Sequence, residues 1–319
     1  MSWWTQKRYR MIQNNLRDID ACMDVDRYLE YLKEFGANVC MVGCGGITAF
    51  HPTRLECQKT SPYLRDDFFG KLLARCHENQ IRVIARFDFS KAHSQFLNTH
   101  PEWFSRTALG DPVLFHDTAA TCVNGPYQQE LSLEILKEVI SQYPVDGVFF
   151  NMFGYQTYDY SGRYVGICQC ESCKRRFLEY SGMELPAGEE ETDPAFRRYK
   201  EFKRDTTTGL LNKIYRKVKQ WNPEAAVCTY SHKGVDLVRN ESNSAVDRPL
   251  PFWMMTSEDN VSCVKGTYSD RFSSNCVINA VDIFYRFMGV SPYLNELRLY
   301  GAMAAGGNLD WCIIGDFET

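Results

Sequence analysis

The stretch Gln128-Gln-Glu-Leu-Ser-Leu-Glu-Ile-Leu-Lys-Glu-Val-Ile-Ser-Gln142, followed by Val145-Asp-Gly-Val-Phe-Phe-Asn151, decides the fold. Its first half repeats apolar residues at the helical period, and its second half is a short apolar run rich in β-formers. Upstream, Arg82–Phe87 is another such run, so the three pieces read as strand, helix, strand. Working outward, the same alternation fills the chain. Strands are expected at Arg10–Leu16, Asn38–Gly43, Arg82–Phe87, Val145–Asn151, Ala225–Tyr230, Pro251–Thr256, Ala280–Phe287 and Leu309–Ile314. Helices are expected at Asp24–Phe35, Asp66–Asn79, Gln128–Gln142, Glu171–Tyr180, Pro194–Trp221 and Tyr293–Ala305. Strands alternating with helices imply a parallel sheet covered by helices, and eight such units in 319 residues fit an α/β fold of the (β/α)8 TIM-barrel class. A doubly wound open sheet would want a Gly-rich phosphate loop. Cys44-Gly45-Gly46 matches neither the dinucleotide nor the P-loop pattern. The chain stops just past the eighth expected strand with no covering helix, so a single barrel spanning 1–319 is expected, either truncated after that strand or closing in an unusual way.

Composition narrows the function classes. The chain is 44% hydrophobic and 24% charged with a net charge of −4. No basic field is present to neutralise phosphates, which argues against nucleic acid as a partner. The N-terminus lacks an apolar signal core, and no apolar run is long enough to span a membrane, so a cytoplasmic protein is expected. Thirteen cysteines, an odd number, fit a reducing compartment. Cys40, Cys76, Cys228 and Cys312 sit inside apolar runs and read as small buried hydrophobes.

Cys168-Gln-Cys170-Glu-Ser-Cys173 differs, because thiolates at this spacing can converge on one tetrahedral ion. Cys122, in Thr121-Cys-Val-Asn-Gly-Pro-Tyr127, is the expected fourth ligand of a structural Zn2+. Unrelated buried thiols or a redox pair are the alternatives.

A cysteine in this kind of loop, then a strand, then C-x-C-x-x-C opening a helix that reaches Phe177, resembles the zinc cluster of the family 42 β-galactosidases. The wider text resembles the hypothetical glycosyl hydrolase 6 family, a related group of sugar-cleaving TIM barrels. The stretches that carry the likeness are Ile12-Gln-Asn-Asn-Leu-Arg-Asp-Ile-Asp20, Phe35-Gly-Ala-Asn-Val39, Val83-Ile-Ala-Arg-Phe-Asp-Phe-Ser-Lys91 and Asp146-Gly-Val-Phe-Phe-Asn-Met-Phe-Gly154. The resemblance implies a glycoside hydrolase acting on a carbohydrate. It also implies a C-terminal trimerisation-type domain beyond this chain, and hence a homo-oligomer in the full-length protein. It departs from the β-galactosidases at Asn151-Met152, where they carry Asn-Glu and use that Glu as acid/base.

Glycoside cleavage uses two carboxyl groups flanking the bond, and a barrel keeps its active site at the C-terminal ends of its strands. The expected catalytic candidates are therefore Glu258, after the sixth expected strand, Asp88, at the end of the third, and Asp316, after the eighth. Arg86 shares a face with Asp88 by the period of two. Expected substrate-binding residues are Arg86, His116, Asn151, Tyr155, Trp253, His51 and Arg286, with Tyr158 and Tyr160 adding aromatic surface. Neither G-x-S-x-G nor H-E-x-x-H occurs, so serine-hydrolase and zinc-protease chemistry have no support. A non-catalytic sugar-binding barrel and a zinc-stabilised scaffold are the alternatives.

Overall fold

The computed structural model describes residues 2–6, 8–151, 154–159, 161–242, 244–281, 285 and 288–314. Eight parallel strands close into a barrel: β1 Arg10–Asn14, β2 Val39–Gly46, β3 Arg82–Asp88, β4 Gly147–Asn151, β5 Ala226–Thr229, β6 Leu237–Ser242, β7 Phe272–Ile278 and β8 Leu309–Ile313. Each pairs with its sequence neighbours, and β1 pairs with β8 to complete the ring. Around it lie helices α1 Val25–Phe35, α2 Phe68–Glu78, α3 Ser132–Gln142, α4 Glu171–Ser181, α5 Pro194–Trp221, α6 Leu250–Thr267 and α7 Pro292–Ala304. Among the described residues, no helix is long and apolar enough to cross a membrane. All thirteen cysteines are free of disulfides.

Local chemistry sets the helix bounds. The Asp24 carboxylate caps α1 by accepting from the Asp26 and Arg27 amides, and Gly36, at φ +74°, ends it in the left-handed region that favours glycine. Asp67 caps α2 in the same way, and Asp193 caps α5 ahead of Pro194.

Strands β1 to β5 and β8 fall where the sequence predicts them, but the sixth and seventh do not. Pro251–Thr256 lies inside α6. Proline at the first turn suits a helix start, and a short apolar run such as Phe252-Trp-Met-Met255 does not distinguish strand from helix. The true sixth strand, Leu237–Ser242, follows β5 across a connection, 230–236, that holds no helix. The seventh is Phe272–Ile278 rather than Ala280–Phe287. Ala280 itself only bridges to Gly289, and 282–284 and 286–287 lie outside the described residues.

The barrel interior is layered. Met11, Met41, Ile84, Phe149, Ala226, Cys228 and Leu237 pack as one buried apolar cluster, with Trp4 and Tyr9 joining it. Polar inward residues of β6, β7 and β8 lie beside this cluster. Arg239 Nε and Nη2 donate to Asp310 at 2.7 and 2.9 Å, Ser274 Oγ donates to the same carboxylate, and both charged side chains are fully buried. The Arg239 guanidinium also sits over the Phe149 ring. Because side chains alternate along a strand, the next inward positions, two residues on, reach the mouth.

Candidate functional site

Those next positions build the site. From Met11, Ile84, Phe149, Cys228 and Arg239, the step of two gives Gln13, Arg86, Asn151, Tyr230 and Glu241, and one more step on β3 gives Asp88. All of them line a cavity of about 350 Å³ at the C-terminal mouth of the barrel. Glycines in β2 clear space beside it. Gly46 is at φ +99°, pairs with Asp88, and a Cβ there would overlap the Asp88 carbonyl oxygen. A small sheet of Lys91–His93, Leu114–Phe115 and Thr118–Ala120 follows β3, and its Phe115 lines the cavity.

Asp88 is the best-fixed carboxylate. Its Oδ1 accepts from the Ser90 amide at 3.0 Å and the Ser90 hydroxyl at 2.6 Å, and its Oδ2 accepts from Asn151 Nδ2 at 2.9 Å. Burial opposes its charge. Lys91, Arg86 and the hydrogen bonds from Ser90 and Asn151 outweigh that and hold its carboxyl below the usual carboxylate range. It is therefore ionised at neutral pH. Across the mouth, the Tyr230 hydroxyl donates to Glu241 Oε2 at 2.8 Å and stands 3.3 Å from Asn151 Oδ1. Burial, with Glu241 beside it, pushes the Tyr230 phenol up, so it remains a proton donor. Asp88, Asn151, Tyr230 and Glu241 thus form a polar arc across four consecutive strands, with a carboxyl group at each end. Asp18 is a third acid on the wall, accepting from Thr48 Oγ1 at 2.9 Å with Lys59 Nζ 3.9 Å away.

The sequence candidates scatter by comparison. Asp88, Arg86 and Asn151 come together at the mouth. Glu258 and Trp253, expected after the sixth strand, sit on the outer helix α6. Glu258 lies against Gly301 of α7, and Trp253 Nε1 donates to the Ala245 carbonyl at 2.9 Å. His51 is fully buried away from the cavity, its Nδ1 3.1 Å from the Cys44 carbonyl and its Nε2 3.3 Å from Glu138, so it ties the loop after β2 to α3. His116 stands exposed at the turn of the small sheet, its ring against Phe115, and does not line the cavity. Tyr155 packs beside the cysteine cluster: its hydroxyl accepts from Asn124 Nδ2 and meets Thr206 Oγ1, both at 2.8 Å. Tyr158 is exposed, edge-on to Tyr164. Asp316, Arg286, Met152 and Tyr160 lie outside the described residues.

Sequence reasoning missed Glu241, Tyr230, Gln13 and Asp18. The available signal for Glu241 was the acid closing Leu237-Val-Arg-Asn-Glu241, hidden because no helix separates this strand from the one before.

The second cluster assembles as expected. The Sγ atoms of Cys122, Cys168, Cys170 and Cys173 lie within 4.8 Å of one another, a set that can hold a metal ion. From Cys122 the other sulfurs are 3.9, 3.4 and 3.4 Å away, close to the ~3.8 Å edge of a tetrahedron with ~2.3 Å metal–sulfur bonds. Three N–H groups point at the sulfurs: Asn124 N to Cys122, Asn124 Nδ2 to Cys173 and Arg106 N to Cys168. Cys170 stands at the N-terminal boundary of α4, whose first turn carries Cys173, so the helix dipole also favours thiolate charge there. The cluster joins the loop after β3 to the loop after β4.

Residues 24–152 match the family described as hypothetical glycosyl hydrolase 6, so the resemblance read from the sequence holds over that stretch. No curated protein matches the chain. Among solved structures, it is similar to the β-galactosidase from Rahnella sp. R3, at 16% identity and a TM-score of 0.70, covering 97% of this chain and 51% of that one. It is also similar to α-L-fucosidase isoenzyme 2 from Paenibacillus thiaminolyticus, at 17% identity and a TM-score of 0.66, covering 97% and 46%. A third is Gan42B, a GH42 β-galactosidase from G. stearothermophilus, at 15% identity and a TM-score of 0.66, covering 98% and 53%. At these identities the likeness shows the barrel fold. The chain spans about half the length of each of these proteins.

Proposed function

We propose that the chain is the barrel of a glycoside hydrolase whose carboxyl pair is Asp88 and Glu241. The observation that carries this reading is the arc Asp88–Asn151–Tyr230–Glu241 at the mouth of the barrel, two acids facing one cavity from β3 and β6. The family match over residues 24–152 supports the reaction class. Asp88, kept ionised, is the group that attacks the anomeric carbon or activates water. Glu241 is the acid that protonates the leaving oxygen. Asn151 holds Asp88 by its amide nitrogen, and the Tyr230 hydroxyl orients Glu241. Gln13 and Asp18 are placed to take sugar hydroxyls. The pair proposed here replaces Glu258 by Glu241, because α6 carries Glu258 away from the cavity.

We further propose that the Cys122, Cys168, Cys170 and Cys173 cluster binds a Zn2+ ion with a structural role. Four thiolates leave no open position for chemistry. The ion's contribution is to pin the loops after β3 and β4.

The test is turnover of a panel of aryl glycosides by the purified chain, with Asp88→Asn beside it. Cleavage of one glycoside that Asp88→Asn lowers at least about a hundredfold supports the reading. Cleavage that survives Asp88→Asn refutes the site. Saturable sugar binding with no cleavage would identify a sugar-binding barrel instead.

A further inference from the structure

Among the described strand residues, two arginines point into the barrel, and they are treated differently. Arg239 meets Asp310 in a two-point ion pair. Arg86 lines the mouth cavity half-buried, yet among the described residues its guanidinium has no hydrogen bond and no carboxylate within ion-pair distance. Asp88 is near enough to be influenced by it, but both Asp88 oxygens are already taken by Ser90 and Asn151. Arg86 Nε is fully buried with no partner. A buried donor left in that state is costly unless something entering the site completes it. Lys91 adds a second cation to the same wall, its ammonium 3.2 Å from Ser90 Oγ.

We propose that the substrate is a glycoside of a carboxylate-bearing sugar, a uronic acid, and that Arg86 receives its carboxylate. This rests on the glycosidase reading for the word substrate, though not for the binding itself. A guanidinium presents parallel N–H donors that match the two oxygens of a carboxylate, which a neutral hydroxymethyl group does not.

The test is calorimetric titration with D-glucuronate and D-galacturonate against D-glucose and D-galactose, at low and high salt. It uses the wild type, Arg86→Met and the charge-keeping Arg86→Lys. The expected result is that at least one uronate binds about ten- to a hundredfold more tightly than its neutral counterpart. That preference should weaken with salt, fall in Arg86→Lys and vanish in Arg86→Met. The wild-type comparison stands even if Arg86→Met fails to fold. Equal binding of uronate and neutral sugar, no uronate binding, or a preference that persists in Arg86→Met would overturn the proposal. Aryl uronides and aryl hexosides separate the two claims. Uronate binding with no cleavage of either class sinks the hydrolase reading and leaves Arg86 as a carboxylate site. Cleavage of hexosides with no preference for uronides does the reverse.

Discussion

Asp310→Ala removes the counter-charge of a guanidinium that has no route to water. Asp310 accepts two bonds from Arg239 and one from Ser274, and neither member of the ion pair is exposed. With the carboxylate gone, the Arg239 charge remains among Phe149, Cys228 and Cys276, with only the Phe149 ring face as partial compensation. Breaking a buried pair by removing one partner costs about 3–5 kcal/mol. For a chain of 319 residues the unfolding entropy is about 0.7 kcal/mol/K, so the melting temperature should drop by about 4–8 °C. Scanning calorimetry reads this directly, with Arg239→Met/Asp310→Leu alongside. The double variant replaces the pair by apolar groups and should recover most of the loss, since what destabilises is the orphaned charge. A single variant within about 1 °C of wild type, or a double variant as unstable as the single, would show that the orphaned Arg239 charge is not what destabilises the barrel. The stake for the site is direct, because Arg239 stands one inward step below Glu241 on β6.

Other consequences follow from the same geometry. Asp88 is held below its unfolded value of about 3.9, so it stabilises the fold above that pH, and the contribution is lost as pH falls through the lower folded value. The stability gap between wild type and Asp88→Asn should therefore stay constant from neutral pH down to about pH 5 and close only below about pH 4, as denaturant melts would show. Gly46→Ala should lower stability by at least about 2 kcal/mol, because the site demands both a left-handed residue and room for the Asp88 carbonyl. Gly110→Ala, also left-handed but with open space around it, should cost only about 1 kcal/mol. Cys122→Ser should drop metal content, read by plasma mass spectrometry, from one equivalent to a small fraction, while far-UV circular dichroism keeps the barrel signature. Full metal retention would mean that Cys122 is not a ligand.

The legible parts of the sequence were those where packing and pattern agree. Strands β1 to β5 carry apolar inward residues such as Met11, Met41, Ile84 and Phe149, so they stand out as apolar runs. β6 and β7 turn Arg239, Glu241 and Ser274 inward, and their polarity hides them from the same reading. Misplacing β6 then carried Glu258 to the mouth in place of Glu241. Asp88 and Arg86 were found because a period of two along a well-marked strand needs no tertiary knowledge. The cysteine cluster was found because ligand spacing is local for three of its members, and Cys122 lies in a loop on the same face. His51 shows the converse. Nothing local distinguishes a histidine buried between the Cys44 carbonyl and Glu138 from one facing a substrate.

The most direct measurement sets Glu241→Gln beside Glu258→Gln on whichever aryl glycoside the wild type cleaves, comparing kcat/KM. Glu241→Gln should lower it by about 10²–10⁴, and Glu258→Gln should change it by less than about twofold. Loss of activity with Glu258→Gln and its retention with Glu241→Gln would contradict the placement of the carboxyl pair at the mouth of the barrel.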